Sequence, residues 1–202
     1  MKEQIKTYFA EFIGTLALTL AVTFSLNTPN FPIPTPAVAA LTLGLFVYTV
    51  GSISGCHINP AVTIGLWVNK KIVSREAILY IVAQALGAFV ALNIGRTFII
   101  SPTALAVADT YRVFFAEAIG TFFFAFGIAA VVAGAVHERL SGLVVGGSLL
   151  LGISIASIGA NGVLNPAVAY GIKSFSTAYV VGPIIGSILG MSTSFYLNKK
   201  GK

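Results

Sequence analysis

Charge is what this chain has least of. Asp, Glu, Lys and Arg together make up 9% of its 202 residues, against about 25% in an ordinary soluble domain. Hydrophobic residues make up 56%, and the mean hydropathy is +0.93. That excludes a water-soluble globule and leaves an integral membrane protein. A single cysteine, Cys56, excludes an intrachain disulfide and points to no metal centre. The sequence also lacks a nucleophile paired with a base, a metal-ligand spacing and a nucleotide-binding loop, so no enzyme, metal or cofactor is expected. Six acidic residues stand against twelve basic ones, a net charge of +6. Those basic residues are spread over termini and short loops, so no nucleic-acid partner is read into them.

What the chain does have is long apolar runs. Runs of about 18 to 25 residues are long enough to cross a hydrocarbon core of ~30 Å as helix, whereas barrel strands would alternate over about ten residues. Spans are placed at residues 5–26, 37–53, 75–98, 111–135, 140–158 and 177–198. The first is too long for a secretory signal, carries Glu11 and lacks a small-residue cleavage site, so it reads as a retained span. Between the second and third spans lies "INPAVTIGLWVNKK", and between the fifth and sixth "LNPAVAYGIKSFS". Each is apolar over only about ten residues, enough to reach half way across. "NTPNFPIPTP" carries four prolines in ten residues and reads as an extended external loop. Threading six spans puts Lys2, Lys6, Lys70, Lys71, Arg75, Arg139, Lys199, Lys200 and Lys202 on one side, and Arg96, Arg112 and Lys173 on the other. The positive-inside rule then places both termini in the cytoplasm of a multi-pass cell-membrane protein.

The chain also repeats itself. "AEFIGT" from Ala10 recurs as "AEAIGT" from Ala116, and Asn59 recurs as Asn165, both 106 residues on. "YIVAQALGA" from Tyr80 matches "YVVGPIIGS" from Tyr179 at 99 residues, so the second copy is shorter after its half-helix. Residues 1–202 are read as a single transmembrane channel domain of two repeats, about 5–100 and 110–200. Three spans per copy is an odd number, which turns the second copy over and brings the two short helices to the midplane from opposite faces. Asn-Pro then makes physical sense. Asn59 and Asn165 are good N-caps, and Pro60 and Pro166 suit the first helical position, where a missing N–H is no loss. Each Asn oxygen caps its own helix, and its NH₂ is left as a donor toward the lumen, backed by the positive end of the helix.

These residues resemble a known family. The paired motifs Asn59-Pro60-Ala61 and Asn165-Pro166-Ala167, the glutamates Glu11 and Glu117, "SGCHINPAVT", Gln84 and "VGPIIG" are similar to those of the major intrinsic proteins, the aquaporins and glycerol facilitators. The resemblance covers nearly the whole chain. It implies an all-α membrane protein, with six transmembrane helices plus two re-entrant half-helices in an inverted repeat. It also implies a homotetramer with one pore per subunit, passing water and small neutral solutes across a lipid bilayer. Exclusion of cations by the positive ends of half-helices is the selectivity device described for aquaporin-type pores. Backbone carbonyls of Gly55, Cys56, His57, Asn161, Gly162 and Val163 would form the acceptor side of the file. By the same resemblance the selectivity filter falls on Ala39, Ile153, Gly162 and Val168. Ala39 is reached by counting back across a whole span. Here the sequence departs from the pattern: Val168 stands where the family usually has Arg, and Ala169 where glycerol facilitators typically carry Asp. Neither subfamily's filter is intact.

Plainer roles stand beside these. Glu11 and Glu117 read as supports of the re-entrant loops over a proton relay, because matching glutamates in similar proteins bond to loop backbone. His57 reads as a loop-packing group, Cys56 as filling a small-residue slot, and Trp67 as a packing or interface anchor. His137 is expected in a solvated loop. Gly14, Gly87, Gly120 and Gly186 are expected at close helix crossings. Three functions compete: a passive channel for water and small uncharged solutes (ammonia, urea or glycerol among them), a secondary transporter, and a non-conducting or ion-leaky scaffold. The first leads, because no unpaired intramembrane charge is placed as a coupling-ion or substrate site.

Overall fold

The structure is a computed structural model that describes residues 2–103 and 105–199, the side chains of Lys2 and Glu3 excepted. Lys200 and Lys202, and the side chain of Lys2, used in the charge reading, lie outside the described residues. Among these residues the regular elements are helical: α1 (Lys2–Asn27), α2 (Thr35–Ser54), α3 (Pro60–Val68), α4 (Ser74–Phe98), α5 (Tyr111–Val132), α6 (Ser141–Ala156), α7 (Pro166–Gly171) and α8 (Thr177–Leu197). A single 3₁₀ turn, Glu138–Leu140, leads into α6. Six of the helices are long and apolar enough to cross a membrane, α6 doing so together with its leading turn. The chain is a multi-pass membrane protein.

Helix ends follow local chemistry. α2 begins with Pro in its first turn and stops at Gly55, whose φ of 82° is cheap only for glycine. α5 ends at Val132 rather than 135, because Gly134 at φ 72° turns the chain back and Ala135 N–H bonds Ala130 O. The second half-helix is also shorter than its apolar run suggests, six residues against nine in the first, or about 9 Å of rise. In α3 the stop is left-handed Lys70, with Lys71 N–H on Leu66 O; in α7 it is left-handed Lys173, with Ser174 N–H on Ala169 O. The two stops lie 103 residues apart, while the two Asn starts lie 106 apart. α7 has lost about one turn, which supplies part of the shift from 106 to 99 seen in the repeat.

The packing repeats as the sequence does. α1 packs on α2 and α4, and α5 packs in the same way on α6 and α8. Each half-helix then leans on the last helix of the other half, α3 on α8 and α7 on α4. α2 meets α6 where Ala40 O lies against Gly146, two positions 106 residues apart that a two-fold would exchange. The close crossings also recur. A Cβ on Gly87 would strike Phe12 O, and one on Gly186 would strike Ala118 O, so glycine at each lets two backbones touch.

Candidate functional site

Both half-helices begin with an extended asparagine followed by proline. Asn59 (φ −158°, ψ 121°) accepts from Ala61 N–H at 2.8 Å through Oδ1; Asn165 (φ −148°, ψ 108°) accepts from Ala167 and Val168 N–H at 3.1 and 3.3 Å. Pro60 and Pro166 hold the first helical position. The side-chain NH₂ groups are not wholly free. Asn59 Nδ2 donates to Leu164 O at 2.9 Å and Asn165 Nδ2 donates to Ile58 O at 3.0 Å, so each amide ties its own half-helix to the other repeat. An amide carries two N–H groups, and one of each therefore remains for the space between. Asn59 and Asn165 are almost fully buried, and Pro60, Ala61, Pro166 and Ala167 are buried behind them.

The approach to each motif is held open by a carboxylate. Ile58 and Leu164, at φ 38° and 56°, occupy the left-handed region that a branched residue avoids. Their N–H groups explain how that is tolerated: Glu11 accepts from His57 N–H at 2.9 Å and Ile58 N–H at 2.6 Å, and Glu117 from Val163 N–H at 2.9 Å and Leu164 N–H at 2.7 Å. Both glutamates are fully buried. Glu11 has two further donors, Ser54 Oγ at 2.7 Å and Gln84 Nε2 at 2.8 Å; the position matching Gln84 in the second repeat is Pro183, which has no donor to give. Tyrosines brace the same loops: Tyr80 OH donates to Ser54 O at 2.8 Å, and Tyr179 OH accepts from Asn161 N–H at 2.9 Å. Sequence reasoning singled out neither tyrosine, although both open the blocks that match at 99 residues. His57 Nδ1 lies 3.1 Å from Thr63 Oγ1, buried Cys56 takes φ 52°, and Trp67 Nε1 donates to Ser74 Oγ. His137 is exposed and accepts from Arg139 N–H to start the 3₁₀ turn.

Two adjacent cavities adjoin the motifs. One of about 260 Å³ is lined by Asn59, Asn165 and all four of Ala39, Ile153, Gly162 and Val168. Asn161 and Val163 line it too, and its described lining includes no Asp, Glu, Lys or Arg. The other, of about 320 Å³, is lined by Gly55, Cys56 and His57 and opens toward the end that carries Lys71 and Glu76. Leu43 and His57 belong to both. The four filter positions and the two asparagines thus line one cavity with His57, Asn161 and Val163, while Gly55 and Cys56 line the other; Pro60, Ala61, Pro166, Ala167, Glu11 and Glu117 line neither.

Six spans, two half-helices meeting by their N-termini and a largely apolar pair of cavities define a membrane channel class. A comparison with known proteins gives the family: the major intrinsic protein model matches residues 1–193, and the chain belongs to that family. It is 33% identical over 246 residues to aquaporin AqpM of Methanothermobacter marburgensis, covering 96% of this chain and 98% of that one. It is 32% identical to glycerol uptake facilitator protein-like 6 of Lactiplantibacillus plantarum, covering 92% and 94%. Its fold is similar to that of the aquaglyceroporin from Plasmodium falciparum, with TM-score 0.67, 22% identity and coverage of 98% and 96%. The protein is a passive channel for water and small solutes and not an enzyme.

Proposed function

We propose that this channel passes water, ammonia and comparably small neutral molecules through an opening that is less polar and wider than that of a water-selective relative. The observation that carries the reading is one part of the cavity wall: Ala39, Ile153, Gly162 and Val168 line one space and themselves offer neither an aromatic ring nor a cation, the rings of Phe124 and His57 lining it elsewhere. Two effects oppose each other there. Small side chains admit larger solutes, while the missing donors raise the desolvation cost, about 1 to 3 kcal/mol for each hydroxyl or amide left unpaired. A solute with several such groups is slowed unless it keeps some water. The carbonyls of Gly55, Cys56, His57, Asn161, Gly162 and Val163 are the acceptors along the file, the two Asn amides are the donors at its centre, and Glu11 and Glu117 hold the loops that present them. The working unit is a homotetramer in the cell membrane with both termini cytoplasmic, a reading supported by family membership and by the side on which Lys70, Lys71 and Arg75 fall.

Stopped-flow light scattering on proteoliposomes, with water, ammonia, urea and glycerol gradients, tests this. Water and ammonia flux should rise well above protein-free vesicles. Val168→Arg adds guanidinium donors and bulk and should reduce urea and glycerol passage relative to water. Wild-type protein that carries water but excludes urea and glycerol, together with an unchanged selectivity in Val168→Arg, would show that position 168 is not a filter.

A further inference from the structure

The connection between the two repeats, residues 99–110, contains no regular secondary structure among its described residues. From 100 to 110 its described residues are solvent-exposed with one exception, Leu105. Leu105 turns inward and lines the same cavity as Ala39, Ile153, Gly162 and Val168. It is fastened on both sides. Thr103 N–H donates to Asn27 Oδ1 at 2.6 Å and Thr103 Oγ1 donates to Leu26 O at 3.0 Å, tying the strap to the end of α1. Ala106 O accepts from Asn161 Nδ2 at 3.1 Å, tying it to the loop before α7, and Asn161 is itself held by Ser174 Oγ at 2.8 Å.

Leu105 also lines a third cavity, of about 330 Å³, beside the pathway. Leu26, Leu105 and Ile172 belong to both spaces and form the partition between them. We propose that Leu105 is a specificity-determining residue: carried over the pathway by the strap between repeats, it supplies bulk that the four filter positions lack and limits the size of solute admitted. This rests on the transport reading above. Being hydrocarbon, it selects by size and adds no donor, so it discriminates among polyols by carbon number and leaves water little affected. Shortening its side chain thins the partition, leaving Leu26 and Ile172 between the two spaces.

The test uses the full chain in proteoliposomes, with glycerol and erythritol as probes against water. Leu105→Ala should raise polyol flux relative to water by about tenfold, the low end of what a missing hydrocarbon contact changes in a size-selecting apolar site. Leu105→Phe should lower it. Unchanged ratios in both variants overturn the proposal. So does a proportional change in all fluxes, the signature of a residue that only holds the loop in place. If wild-type protein carries no water above protein-free vesicles, the transport reading has failed; if it does and the variants match it, only the role of Leu105 has.

Discussion

At the scale of single residues, the two asparagines each do two jobs with one amide. The oxygen caps the half-helix, one N–H crosses to the other repeat, and one N–H is left for the pathway. Asn165→Asp isolates the last job from the first. A carboxylate still caps a helix N-terminus well, but it has no N–H for Ile58 O and puts negative charge where two positive helix ends face the lumen. Water flux should fall, and cations should begin to pass. Voltage-clamped bilayers and stopped-flow traces decide it: an unchanged water rate with no cation current would remove the asparagine pair from the selectivity argument. Breaking the crossing bond also leaves a buried carbonyl unpaired, worth about 1 to 3 kcal/mol, so the variant should unfold earlier in detergent.

At the scale of elements, α8 shows that a helix can be capped from far away in sequence. Its own N-cap, Ser176, makes no side-chain cap bond; Ala178 N–H instead donates at 2.7 Å to Asp109, which lies 69 residues before Ala178. Hydrogen bonds from that helix start hold the Asp109 carboxyl below the ordinary aspartate range. The unfolded chain therefore binds the proton at higher pH than the folded one. Asp109 adds stability that is fully present above the ordinary value, about 3.9, and is lost as pH falls through the depressed folded value. Asn in its place keeps an acceptor but cannot titrate. Melting temperatures in detergent between about pH 3 and 7 should fall toward acid more steeply in wild type than in Asp109→Asn, and parallel curves would show that the carboxylate is not coupled to folding.

At the scale of the whole molecule, six lipid-length helices leave many large apolar side chains outward, among them Leu41, Leu45, Phe89, Phe115 and Leu189. In a membrane these face lipid or, in the tetramer proposed above, the neighbouring subunits. Native mass spectrometry from mild detergent should give four times the 21.0 kDa chain mass, and a monomer that still conducts in vesicles would rule out assembly as a requirement for transport. Cysteine placed at either terminus in a Cys56→Ser background should react only with membrane-permeant thiol reagents in intact cells. Labelling by an impermeant reagent would invert the orientation read from Lys and Arg.

Membrane class, number of spans, the starts of both half-helices and the doubled architecture were legible from residues alone, because each depends on local properties. An apolar run of fixed length has one solvent, and Asn-Pro sets an N-cap wherever it lies. The extent of α7 was less legible: its apolar run continues past Gly171, and only the left-handed turn at Lys173 ends it. Glu11, Gln84 and Glu117 could be marked from sequence, and Tyr80 and Tyr179 only as the openers of matching blocks, but none could be joined to particular backbone N–H and C=O groups. Leu105 and Asp109 carried no signal at all. One is an ordinary leucine in a loop, the other an ordinary aspartate before a helix. Their roles come from contacts with distant residues, Asn161 and Ser174 around the strap, and Ala178 at the start of α8. Such pairings have no period and no local motif; they exist only once the two halves close on each other, because closure brings the segment between the repeats against residues of both.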